Sequence, residues 1–145
     1  MGFSLSVSQA DTVLHALQQD YRIYAPKRFP KQGRYSDTDI IRYAEVHSFA
    51  DIVWDTKSDY PAKEVITPLQ QAIFYFTEDE YRASKGKSKP ILLLARPCDI
   101  NVQRIQARIY AGNGGYNDLY YSRMRELVKF AVMDCNGGDD TCFCV

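Results

Sequence analysis

Ile91-Leu92-Leu93-Leu94-Ala95-Arg96-Pro97-Cys98-Asp99 is the stretch on which the fold turns. Its five leading apolar residues follow a lysine-rich turn, Ser84 to Pro90, and stop before a proline, so they read as a short buried strand. A helix from about Asp99 to Tyr110 follows, with Val102, Ile105 and Ile109 on one side. Gly112-Asn113-Gly114-Gly115 reads as a flexible loop, Asp118 to Lys129 as a second helix with Leu119, Met124, Leu127 and Val128 apolar, and Phe130 to Asp134 as another buried strand. Strand, helix, helix, strand is the order of an α/β sheet with right-handed crossovers. The expected fold class is therefore α/β: one domain over residues 1–145, a mixed sheet flanked by helices, with cysteines clustered at the C-terminal ends of strands.

The first half reads less regularly. A helix is expected from Ser6 or Ser8 to Asp20, with Val7, Val13, Leu14 and Leu17 at helical spacing, and then a strand over Tyr21 to Ala25. Pro26, Lys27, Arg28, Pro30, Lys31 and Arg34 around Gly33 form a basic loop. Ile40 to Val46 and Ile52-Val53-Trp54 are expected strands. After the break at Tyr60-Pro61, Pro68 suits a first helical turn, and Leu69, Ala72, Ile73 and Phe76 would form the apolar face of a helix ending at Glu78-Asp79-Glu80.

Composition narrows the functional classes. The chain has 145 residues, 46% of them hydrophobic, which is enough for a core without disulfides. Eighteen basic and eighteen acidic residues cancel, so no global field recruits nucleic acid or an anionic membrane surface. No window approaches about eighteen consecutive apolar residues, and no signal peptide opens the chain, so a cytoplasmic location is expected. The glycines do not follow a strand or open a helix as a phosphate loop requires, and no Ser-His-Asp or Cys-His arrangement points to hydrolysis. His15 and His47 lack partners at metal spacing and read as solvated or core side chains.

Cysteine placement is the strongest chemical signal. Cys98 follows one strand, Cys135 follows the other, and Cys142 and Cys144 crowd the end of the sequence. In a reducing compartment such clustering points to metal ligation or redox chemistry more than to structural bridges. If the two strands are parallel neighbours, Cys98 and Cys135 emerge where open α/β sheets place their ligands. Four thiolates satisfy tetrahedral zinc or a four-iron cluster, and Gly137-Gly138 gives the backbone freedom to wrap such a centre. Arg96 would balance thiolate charge, and Asp99 would cap the helix or add an oxygen ligand. The bland reading makes Cys98 and Cys135 small buried hydrophobes and the other two part of a frayed tail. A redox disulfide is a third reading, with Cys142 and Cys144 poor partners for one another because their side chains leave opposite faces of extended chain.

Arg96-Pro97-Cys98-Asp99-Ile100, the stretch Asp118-Leu119-Tyr120-Tyr121-Ser122-Arg123-Met124-Arg125-Glu126, and Cys135 followed by Cys142-Phe143-Cys144 resemble the amino-terminal region of the iron–sulfur electron-transfer component of anaerobic sulfite reductase. Beta subunits of sulfhydrogenases share the pattern, and Pro61-Ala62-Lys63-Glu64 with Pro68 is similar to the segment before the family's first central helix. The resemblance covers Pro61 to Val145. It implies a protein that passes electrons through 4Fe-4S clusters between a flavin subunit oxidising NADH and a siroheme subunit reducing sulfite to sulfide. It also implies a downstream ferredoxin-like domain that this sequence lacks, so the chain is expected to be an N-terminal piece of a longer protein that does not turn over sulfite alone. The rival expectations are a docking scaffold for the flavin and siroheme subunits, with structural or zinc-bound cysteines, and a thiol redox sensor.

Overall fold

In the computed structural model, residues 2–67, 70, 72–83, 89–135, 137–138 and 142 are described. Helix α1 (Val7–Asp20) starts where the Ser6 hydroxyl accepts from the Gln9 N–H and the Gln9 side chain accepts from the Ser6 N–H, a reciprocal pair that satisfies two orphan donors. Of its expected apolar positions only Leu14 is buried.

Strand β1 (Arg22–Phe29) outruns the expected Tyr21 to Ala25 and takes in Pro26, Lys27 and Arg28, which the sequence placed in a loop. It pairs antiparallel with β2 (Ile40–Glu45), Pro26 lying opposite Tyr43. The Pro26 carbonyl accepts from Val53 N–H at 2.8 Å, on the side away from β2. Its missing N–H therefore removes no rung of the β1–β2 ladder, which is why a proline is tolerated there. Phe49–Asp51 forms a single 3-10 turn, and Ile52 makes one isolated bridge to Lys27 in place of the short strand expected over Ile52 to Trp54.

The largest departure follows Pro61. Helix α2 (Lys63–Ile66) is one turn long, and Phe74–Phe76 is strand β3, paired antiparallel with β4 (Tyr81–Ala83), so the expected helix through Ala72, Ile73 and Phe76 is not formed. Pro68 and Leu69 lie outside the described residues. Three consecutive aromatic residues favour a pleated strand, and Thr77 and Glu80 close the turn through N–H to carbonyl and N–H to hydroxyl bonds of 2.7 and 3.2 Å.

The second half matches its expectation closely. Strand β5 (Ile91–Ala95) leads into α3 (Pro97–Tyr110); a hairpin of β6 (Ala111–Asn113) and β7 (Tyr116–Asn117) replaces the flexible loop; α4 (Leu119–Leu127) leads into β8 (Val128–Val132). Gly114 and Gly115 hold φ of 63° and 84° in the hairpin turn, a region that favours glycine. The strand order is β2-β1-β5-β8, antiparallel at β1–β2 and parallel at β1–β5 and β5–β8. The fold is thus α/β, with a mixed sheet flanked by helices.

Each face of the sheet has its own core. Ile91, Leu93, Ala95 and Val128 pack with Ile66, Tyr121 and Met124, under α2, α3 and α4. On the other face Ile23, Ala25 and Val46 pack with Leu14 and Met133. Helix α3 meets the core through Ile100, Gln103 and Ala107, so its expected apolar side is turned outward, with Ile105 46% and Ile109 54% exposed. No helix among the described residues is long and apolar enough to cross a membrane.

Candidate functional site

The parallel pairing of β5 with β8 sets Ala95 beside Val132. Three residues beyond each stand Cys98 and Cys135, so both cysteines follow the carboxyl ends of neighbouring parallel strands, one in a helical turn and the other in irregular chain. Cys98 lies in the first turn of α3 and is half-buried; Cys135 lies past β8 and is also half-buried. The carboxyl edge of parallel strands is where open α/β sheets bind ligands, because crossover helices cover the faces and leave that edge open.

Local bonds fix the exit of β8. Met133 donates its N–H to the Ala95 carbonyl at 2.9 Å, and Cys135 donates its N–H to Asp134 Oδ1 at 2.9 Å. Arg96 then reaches across: Nη1 donates to Cys135 Sγ at 3.3 Å, while Nη2 donates to the carbonyls of Trp54 at 3.1 Å and Thr56 at 2.9 Å. One guanidinium thus joins the end of β5, the segment after the 3-10 turn and the cysteine beyond β8. Its Nε is buried without a hydrogen-bond partner among the described residues. Trp54 is itself stacked on Phe49, with ring centroids 4.8 Å apart.

Asp99 does not cap α3. The helix begins at Pro97 with Arg96 as its N-cap, which leaves Asp99 inside the first turn. Its carboxylate accepts from the Tyr43 hydroxyl at 2.8 Å and from Ala62 N–H at 3.3 Å, so it ties α3 to β2 and to the start of α2. Burial, reinforced by the negative charge of Asp99 and the bond to it, pushes the Tyr43 phenol well above its ordinary range.

Of the remaining cysteines, Cys142 is exposed and Cys144 lies outside the described residues; no disulfide links Cys98, Cys135 and Cys142 to one another. Among the described residues no group of three or more His, Cys, Asp or Glu is gathered to hold a metal ion. Cys98 and Cys135 are the cysteines that follow the carboxyl ends of β5 and β8, and Cys135 faces a cationic donor. His15 and His47 are exposed on α1 and after β2, as solvated side chains. Tyr43, Trp54 and Thr56 are parts of this region that sequence reasoning did not single out; Tyr43 alone carried a signal, as an aromatic in an alternating strand.

No family model matches the chain, and no solved structure matches it. Among known proteins the chain is similar to sulfhydrogenase 2 subunit beta of Pyrococcus furiosus, with 28% identity over 129 residues that make up 88% of this chain. It spans 35% of the length of that protein.

Proposed function

We propose that this chain is part of an electron-transfer subunit of a multisubunit oxidoreductase, and that Cys98, Cys135, Cys142 and Cys144 hold one iron–sulfur cluster. The observation that carries this reading is that Cys98 and Cys135 each follow the carboxyl end of one of two paired parallel strands, with Arg96 Nη1 on the Cys135 sulfur. Similarity to a sulfhydrogenase beta subunit supports the class. Such a cluster would accept and pass on single electrons. The protein's own part is to hold the sulfurs at the sheet edge and to set the potential through N–H···S bonds, for which Arg96 is one donor and the Gly137-Gly138 backbone the other candidate.

Within that class we assign the chain to an anaerobic, NADH-linked sulfite reductase, on the Arg96 to Ile100 and Asp118 to Glu126 motifs. Its partners are then a cytoplasmic flavin subunit that oxidises NADH and a siroheme subunit that reduces sulfite to sulfide. Further clusters belong to a ferredoxin-like domain downstream of these residues.

A docking scaffold with structural or zinc-bound cysteines is the second reading. It is favoured by the exposed aromatics Phe74, Tyr75, Phe76 and Tyr81 on the β3–β4 hairpin. Strictly anaerobic purification separates the two, with iron, acid-labile sulfide and zinc measured per chain beside a visible spectrum. Iron and sulfide with broad visible absorbance, lost in Cys98→Ser, support the cluster; a colourless chain holding zinc or no metal supports the scaffold.

A further inference from the structure

β8 closes one end of the four-stranded sheet, and among the described residues no strand pairs with its outer edge. Backbone parity tells which groups that edge presents. Met133 donates its N–H toward β5, so the alternate residues Phe130 and Val132 turn both N–H and C=O outward, while Val128 turns out its C=O and spends its N–H closing α4 on the Arg125 carbonyl. The Arg125 guanidinium agrees with this assignment, for its Nη1 donates to the Val128 carbonyl at 3.2 Å from outside the β5–β8 ladder. Phe130 and Val132 are left with outward backbone groups, and the Val132 side chain is 66% exposed. An apolar edge of this kind is a template for another strand.

We propose that the outer edge of β8 is a self-association surface on which a second copy of this chain docks its own β8, antiparallel about a two-fold axis through Ala131. The register follows from chemistry. Outward residues pair only with outward residues, so even-numbered positions must oppose even-numbered positions. Centring on Ala131 sets Phe130 opposite Val132 of the second copy, and the two-fold repeats the pair. Aromatic against β-branched is a favoured cross-strand pairing. Lys129 then faces Met133 of the second copy and not another lysine. Continued two residues past Val132, the same register sets Asp134 of the second copy opposite Val128, which would bring its carboxylate toward Arg125, whose guanidinium lies 4.8 Å over the Phe130 ring. Centring on Phe130 would instead set Val132 against Val128, where Arg125 stands with no carboxylate to meet it. A two-fold contact is isologous, so each favourable pair occurs twice.

Sedimentation of the reduced chain over a concentration series tests the surface. The wild-type chain is expected to sediment as a dimer. Val132→Pro removes an outward N–H and spares the ladder with β5, so it should give a monomer with unchanged far-ultraviolet circular dichroism. Asp134→Arg should also give a monomer, by setting like charges against Arg125, and Arg125→Asp combined with Asp134→Arg should restore the dimer. A wild-type chain that stays monomeric at every concentration would overturn the proposal and leave Arg125 and Lys129 as guards of a protected edge. A dimer that survives both single variants would overturn it too, since association would then use another surface.

Discussion

Arg96 and Cys135 are joined across 3.3 Å by an N–H···S bond, although they belong to different strand exits and stand 39 residues apart. The same guanidinium holds the carbonyls of Trp54 and Thr56, so its loss would release three segments at once. Hydrogen bonds from charged donors contribute about 1.5–3 kcal/mol each, and the partial exposure of this group brings the expected cost of Arg96→Met to about 1–3 kcal/mol. Denaturant unfolding measures that cost. Alkylation followed by peptide mass mapping should show Cys135 reacting faster in the variant while Cys142, already exposed, keeps its rate. A Cys135 rate that does not change would show that Arg96 does not shield the sulfur.

Tyr43 gives a pH-dependent prediction. Burial first, and then the charge of Asp99, hold its proton in the folded state above the ordinary value of 10.0. In the unfolded chain the phenol ionises at that ordinary value. Its contribution to stability is therefore complete below about pH 10 and is lost as pH rises beyond it, because the unfolded state alone gives up the proton. Tyr43→Phe should cost about 1–2 kcal/mol near neutrality, since Asp99 loses a donor, and the gap to wild type should narrow between about pH 9 and 11. Urea midpoints at those pH values check it; a constant gap would mean that Tyr43 does not carry the alkaline slope.

Asp11 carries much of the docking of α1. That helix buries only Leu14, and the Asp11 carboxylate accepts from the Ser48 hydroxyl at 3.1 Å and from Phe49 N–H at 2.6 Å, so it holds the 3-10 turn against the helix. Asp11→Ala should lower stability by about 1–3 kcal/mol and speed amide exchange in α1 before the rest of the sheet. Uniform exchange across α1 and β5 would show that the contact does not anchor the helix.

The second half of the fold was legible because its signals are local. Ile91 to Ala95 is apolar on both faces, as a central parallel strand must be, and one strand period placed Cys98 and Cys135 at one edge. What the sequence hid depended on partners distant in the chain. Pro26 reads as a breaker until Val53 and Tyr43 are known to flank it, and Asp99 reads as a cap until Tyr43, 56 residues away, takes its carboxylate. Ala72, Ile73 and Phe76 fitted a helical face, and the pairing of Phe74–Phe76 with Tyr81–Ala83 makes a strand there instead, since short apolar runs leave that choice to context. On α3 the periodicity picked the wrong side, because the helix turns a glutamine inward and leaves Ile105 and Ile109 in solvent.

That glutamine gives the last prediction. Gln103 is 1% exposed on the inward side of α3, and its Oε1 and Nε2 have no hydrogen-bond partner among the described residues. The same side of the helix carries Ile100 and Ala107, packed on a cluster that includes Tyr121 and Met124. A buried amide without partners costs about 1–3 kcal/mol of desolvation, while methionine has similar volume, adapts its shape and carries no such demand. Gln103→Met should therefore raise the free energy of unfolding by about 1–2 kcal/mol. Gln103→Ala should lower it by opening a cavity, which separates the polar penalty from the packing of the side chain. Denaturant unfolding of both variants decides the matter: if Gln103→Met destabilises as Gln103→Ala does, the amide is hydrogen-bonded in solution and holds α3 to the core through its polar atoms.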